Sequence, residues 1–178
     1  MRTMNSTVYE SPLGALTLVG GAQGLRRLHF PGQGPRLHES GEQLEALATA
    51  TEQLEAYFAG ERRRFELPLD LDGTPFQRRV WAALERIPYG TTTTYGTLAR
   101  ELGPELGHSP EPRGVAAAVA RTPVPIVIPC HRVLSADGSL TGYLGGLHRK
   151  RALLDFEAAG GRPSALRSSL TQRQLALL

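Results

Sequence analysis

Three prolines stand within one short apolar run, 123-PVPIVIPC-130. Proline locks its own φ, has no N–H to give and breaks a helix interior, so this run is barred from helices and from the middle of a broad sheet. The residues between the prolines, Val124, Ile126, Val127 and Ile128, are apolar and β-branched, which suits a buried extended segment. The run therefore predicts a short buried strand at 124–128 that ends on Cys130. The rest of the chain has to enclose it.

Cys130 is the only cysteine. That excludes an internal disulfide framework and leaves no second thiol for a redox pair or a zinc knuckle. A lone cysteine is ordinarily a small inert core residue. Here the strand-end position, the preceding Pro129 and the flanking His131 and Arg132 speak for a reactive thiol, because nearby positive charge or a base favours thiolate. Neighbours in an extended chain point to opposite faces, so His131 would reach Cys130 through a bridging water. An acid to orient the imidazole has three candidates downstream: Asp137, Asp155 and Glu157.

Length and charge narrow the setting. With 178 residues and 40% hydrophobic content, the chain can build one ordinary domain or two small ones. The opening 1-MRTMNSTVYESPLG-14 is polar and lacks the apolar core of a signal peptide, and no stretch reaches the length of a membrane helix. A cytoplasmic protein that does not engage membranes is expected. The net charge of +3 comes almost wholly from arginine, Lys150 being the only lysine. Such an excess is compatible with nucleic-acid binding without establishing it.

The chain changes character near residue 72. Before it, Val8, the turn signal 11-SPLG-14 and the alternation around Thr17 predict a hairpin, with a further strand at 25-LRRLHF-30. A helix is expected over 42–59, with Leu44, Leu47, Leu54, Tyr57 and Phe58 on one face and Gly60 as its stop. The segment 65-FELPLDLDG-73 alternates like an edge strand. After it, Thr74 and Pro75 open a helix that puts Phe76, Val80, Leu84 and Ile87 on one face. Thr94 caps a second helix bearing Leu98 and Leu102, and a loop, 103-GPELGHSPEP-112, leads to a third, 113-RGVAAAVA-120. Two short helices joined by a loop, with an arginine opening the second, form a helix-turn-helix arrangement. After Arg113 the third helix carries only small or β-branched residues. It either packs against a neighbour or brings its backbone close to a narrow groove.

The block 129-PCHRV-133 resembles the active-site motif of the O6-alkylguanine-DNA alkyltransferases (methylated-DNA–protein-cysteine methyltransferases). The resemblance extends to 10-ESPLGALTLVG-20, to 73–99 and to 113–157, including 142-GYLGGL-147. It implies an α/β fold: a small ribonuclease-H-like domain over 1–72, a winged helix-turn-helix alkyltransferase domain over 73–160 and an extension over 161–178. It further implies direct, irreversible, stoichiometric repair, in which an alkyl group passes from O6-alkylguanine, and from O4-alkylthymine, to Cys130. His131 would deprotonate the thiol through a water, and Glu157 would orient His131. Arg113 would replace the flipped base in the stack and Tyr95 would push the target phosphate. Gly114 and Ala117 would lie on the minor-groove face. Tyr143, the Leu144 N–H, the carbonyls of Val133 and Pro125, and Lys150 would form or support the alkylguanine pocket. No cofactor and no metal are implied. The partner is double-stranded DNA carrying the lesion, bound by a monomer, with cooperativity on DNA left open.

Three features depart from the family pattern. Thr122 stands where the family has an asparagine that ties the helix-turn-helix to the active-site loop, and a hydroxyl cannot span both sites as an amide does. The 103–112 loop is longer and richer in proline, and the arginine-led helix has alanines where glycines are usual. The 161–178 tail lies outside the resemblance, and both a disordered extension and a short amphipathic helix are open for it. Other function classes are a lesion-recognition protein without transfer, against which Cys130 itself argues, a sequence-specific regulator, and a cysteine hydrolase.

Overall fold

The computed structural model describes residues 4–34 and 45–175. It opens with an antiparallel meander, β1 (Asn5–Ser11), β2 (Gly14–Gly21) and β3 (Gly24–His29), in the order β1-β2-β3. Ser11 pairs with Gly14 at the hairpin tip, so Pro12 and Leu13 alone reverse the chain. Gly14 takes a positive φ of 101° that a side chain would resist. Helix α1 (Glu45–Phe58) packs on all three strands through Leu47, Ala50, Leu54, Tyr57 and Phe58. Its expected start at 42–44, with Leu44, lies outside the described residues. The edge strand expected over 65–73 shrinks to a single bridge, Leu69 beside Leu25. Pro68 has no N–H to extend the ladder, although its carbonyl accepts from Leu25 at 2.9 Å.

The second half is helical. Helix α2 (Pro75–Glu85) begins with a complete capping box between Thr74 and Gln77. Strand β4 (Thr93–Thr94) leads directly into α3 (Tyr95–Leu106), whose cap is the Thr94 hydroxyl accepting from the Thr97 N–H at 3.2 Å. Helix α4 (Pro112–Ala120) lies against α2 and α3, and the Trp81 indole N–H donates to the Ala118 carbonyl at 3.0 Å. After a short 3-10 turn at Cys130–Arg132 come β5 (Val133–Leu134), α5 (Leu147–Ala158) and α6 (Pro163–Leu175).

Two further expectations from the sequence are corrected. The link between α3 and α4 is shorter than 103–112, because α3 continues through Gly103 and Pro104 to Leu106 and stops at Gly107 with φ 75°. Apolar Leu102 and Leu106 reward one more turn, and the proline sits where a single backbone bond is lost. The buried segment 124–128 is not a strand either. Ile126 adopts a positive φ of 75°, the chain doubles back, and the Ile128 N–H reaches the Val124 carbonyl at 2.9 Å. Prolines at 123, 125 and 129 leave too few donors for a ladder. Burial holds the run in a compact turn that joins the first domain where the Leu28 N–H donates to the Pro123 carbonyl at 3.0 Å. In the tail, α6 packs on α5 with Leu166 buried, and Ser169 donates to Asp155 at 2.7 Å.

Candidate active site

The proline-rich turn delivers Cys130 to the first position of the 3-10 turn, where its N–H is held by the Ile128 carbonyl at 2.7 Å. Strands β4 and β5 pair in parallel with Thr93 beside Val133. That short ladder sets Tyr95, the residue after β4, close to the residues just before β5. Cys130 is 6% exposed. Burial pushes its thiol up to about 11, while the Thr122 hydroxyl, the Lys150 charge and nearby backbone N–H groups pull the other way. The resting group is a neutral thiol that needs a base.

His131 is fully buried, and its Nε2 lies 2.8 Å from Glu157 Oε1. Burial lowers the imidazole below its ordinary value, against the pull of Glu157 and with help from Arg132 and Lys150. A neutral ring facing a carboxylate carries its proton on Nε2, which leaves a lone pair on Nδ1. Nδ1 is buried without a hydrogen-bond partner among the described residues.

Glu157, on α5, is held from several sides. Its Oε1 accepts from Tyr57 at 2.8 Å and from Arg132 Nη2 at 2.9 Å, and its Oε2 accepts from Arg132 Nε at 2.8 Å and from the Gly90 N–H at 3.2 Å. Burial works to raise the carboxyl, but His131 and Arg132 outweigh it and hold Glu157 well below the usual carboxylate range. Of the three acids open from the sequence, only Glu157 meets His131. Asp155 binds Ser169, and Asp137 caps the Ser139 N–H at the surface. Arg132, expected from its place near Cys130 to favour the thiolate, instead pairs with Glu157, and Tyr57, which reads in sequence as an ordinary core aromatic on α1, had no assigned role.

The C-terminal end of α4 borders the thiol, with Val119 and Ala120 lining the same small cavity as Cys130. Arg113, Gly114, Ala117 and Ala120 are exposed, while Val115, Ala118 and Val119 face the core. The only long side chain on the exposed face of this helix stands at its start. Thr122 follows α4, buried, with its hydroxyl donating to the Val119 carbonyl at 2.7 Å. Tyr95 is half-buried, and burial raises its phenol, which neighbours Thr141 and Cys130.

A small, partly open cavity of about 10 Å³ lies between Val119, Ala120, Thr122 and Cys130 on one side and Gly142, Tyr143 and Leu144 on the other. The Tyr143 hydroxyl is buried without a hydrogen-bond partner among the described residues, and its ring meets Phe30 edge-on at 5.7 Å. Lys150 is fully buried and donates to the carbonyls of Val133 at 2.7 Å and Thr141 at 3.0 Å, so it clamps β5 to the start of the 142–147 loop. Burial lowers its ammonium, opposed by Cys130. Val133, Pro125 and Lys150 do not line the cavity itself. Ile126 and Val127 instead border a separate cleft with Tyr89 and Arg132.

Sequence models of two domains cover most of the chain. Residues 4–71 match "6-O-methylguanine DNA methyltransferase, ribonuclease-like domain", and residues 75–159 match "6-O-methylguanine DNA methyltransferase, DNA binding domain". The chain belongs to this family. A 6-O-methylguanine DNA methyltransferase relative from Mycolicibacterium paratuberculosis, named methylated-DNA–protein-cysteine methyltransferase, is 48% identical over 150 residues, covering 83% of this chain and 88% of the relative. A protein of the same name from Methanosarcina acetivorans is 41% identical over 159 residues, covering 88% and 99%. The crystal structure of Mycobacterium tuberculosis OGT in complex with DNA superposes with a TM-score of 0.76 at 42% identity, covering 92% of this chain and 98% of that one. The meander with α1, followed by the helical half with the buried cysteine, is thus the two-domain methyltransferase fold.

Proposed function

We propose that this protein repairs DNA as a methylated-DNA–protein-cysteine methyltransferase, moving the alkyl group of O6-alkylguanine irreversibly onto its own Cys130, once per molecule. The observation that carries this reading is a buried row of Cys130, neutral His131 and ionised Glu157 next to the end of a helix whose exposed face carries small residues led by Arg113. A thiol that is 6% exposed cannot reach a base inside a stacked duplex, so the target nucleotide rotates out and enters the protein. Gly114 and Ala117 let α4 approach a narrow groove, Arg113 fills the vacated stack and Tyr95 turns the phosphate. Tyr143 covers the base in the pocket.

In the chemical step, the thiol proton passes through a water to His131 Nδ1 as Sγ attacks the alkyl carbon. The new S–C bond forms as the C–O6 bond breaks, and the electron pair leaves with guanine. Developing charge on O6 meets the Tyr95 hydroxyl and the Leu144 N–H. Guanine then takes a proton, and Cys130 remains a thioether. O4-alkylthymine offers the same alkyl–oxygen bond to the same attack and is the second substrate proposed. The protein is proposed to act in the cytoplasm as a monomer on double-stranded DNA, with domains over 1–72 and 73–160 and an extension over 161–178.

Intact-protein mass after mixing with excess duplex carrying one O6-methylguanine tests the proposal. A gain of one methylene, mapped to Cys130 and stopping at one per molecule, is expected. Tight lesion-selective binding without a mass change would instead mark a recognition protein with a silent thiol, and Thr122→Asn would be the first variant to make.

A further inference from the structure

The loop that covers the cavity is a four-residue turn, in which the Gly146 N–H donates to the Tyr143 carbonyl at 2.9 Å. Leu144 and Gly145 are its central residues. The peptide between the central residues of such a turn has two flip states, which exchange the positions of its C=O and N–H. Glycine at the second central position makes both accessible. Gly145 has no positive φ, so the loop occupies the state that needs none. A side chain there would strike the rings of Phe30, at 2.7 Å, and Tyr143, at 2.9 Å.

Two contacts hold that state, and both tie it to the first domain. The Gln33 side-chain amide donates to the Leu144 carbonyl, while its oxygen accepts from the Phe30 N–H at 3.4 Å. Arg149 donates to the Gly145 carbonyl at 2.9 Å and to the Leu13 carbonyl at the hairpin tip at 3.0 Å. Because C=O and N–H of a trans peptide point in opposite directions, anchoring the Leu144 carbonyl on Gln33 turns the Gly145 N–H away from the first domain. Among the described residues nothing accepts the N–H of Leu144 or of Gly145.

We propose that Gln33 is a positioning residue for alkyl transfer: it fixes the flip of the 144–145 peptide, so that beside the Leu144 N–H the loop offers the Gly145 N–H, and not the Leu144 carbonyl oxygen, to O6 of the entering base. This inference rests on the alkyltransferase reading above. A flipped peptide would set an acceptor against an oxygen gaining negative charge, which opposes departure of guanine. Gln33 acts only through the loop and touches no reacting atom.

Single-turnover transfer from a duplex carrying one O6-methylguanine, measured across DNA concentrations, separates maximal rate from half-saturating concentration. Gln33→Leu removes the donor, Gln33→Glu places an acceptor against the Leu144 carbonyl, and Gln33→Lys keeps a donor of similar reach. Expected is a maximal rate lower by about tenfold or more in Gln33→Leu and Gln33→Glu, restored in Gln33→Lys. Half-saturating DNA and the rate of thiol alkylation by iodoacetamide should stay unchanged in all three. Wild-type rates in both Gln33→Leu and Gln33→Glu would overturn the inference. So would a loss of rate matched by equal losses of thiol reactivity and melting temperature, or one that Gln33→Lys does not restore. Wild-type protein that leaves the lesion untouched would overturn the functional reading itself, and this inference with it.

Discussion

Burial pushes the Cys130 thiol up to about 11, so its reactivity toward a small electrophile that bypasses the base pocket should climb with pH well beyond the ordinary thiol range. The rate of iodoacetamide alkylation, followed from neutral to alkaline pH, is expected to keep rising past about 8.5, the usual cysteine value. A plateau there would show that the thiol is not shielded as described. Glu157 acts in the opposite direction. Its folded value is depressed, so its stabilisation is complete above the ordinary glutamate value of about 4.3 and is lost as pH falls toward its lower folded value. Glu157→Gln leaves the buried Arg132 guanidinium uncompensated, and a loss of about 3–5 kcal/mol is expected. Urea denaturation at neutral pH measures the loss, and the acid end of the melting curve should flatten in the same variant. Cys130 and His131 were legible in sequence because a proline-bounded apolar run ended on them. The choice of Glu157 over Asp137 and Asp155 came from the family resemblance and not from any local pattern, since the approach of α5 to the 3-10 turn decides which acid meets the ring.

At the scale of elements, local signals did best where the chain caps itself. The Thr74-Pro75 start of α2 and the Thr94 start of α3 stand where the sequence places them, because each hydroxyl needs only a backbone N–H two or three residues away. Thr74→Ala should therefore cost about 1 kcal/mol of stability and leave the transfer rate alone, a pairing that thermal melts and the single-turnover assay can check together. Elements that depend on distant partners were harder to read. Nothing local announces that Ile126 takes a left-handed conformation: enclosure of the 123–130 run by α2, α4 and β3 overrides the preference of a β-branched residue. Likewise α3 runs through Gly103 and Pro104, both breakers by propensity, because Leu106 gains a place against the core.

Across the whole molecule, the two domains are interlocked through polar groups as well as apolar packing. Tyr57 of α1 reaches Glu157, Gln33 reaches Leu144, and Arg149 reaches Leu13. A chain tied this way should unfold in one cooperative transition, with the calorimetric enthalpy matching the van't Hoff value. Tyr57→Phe should lower stability by the worth of one hydrogen bond to a charged group, about 1.5–3 kcal/mol, without splitting that transition. Two separated transitions would mean that the domains are coupled more loosely than their contacts imply. Sequence showed two units and their order, but not this coupling, because each contact joins residues that are far apart along the chain.

The burial of Lys150 has a practical side. It is the only lysine in the chain and has no exposed surface, so a protease that cuts only after lysine has a single target bond, and that bond is hidden while α5 is folded. Cleavage under native conditions then reports how often the wall behind Cys130 opens, in a chain otherwise blind to that protease. Amine-reactive dyes and surface-coupling chemistries, for their part, should leave Lys150 untouched while the protein is folded.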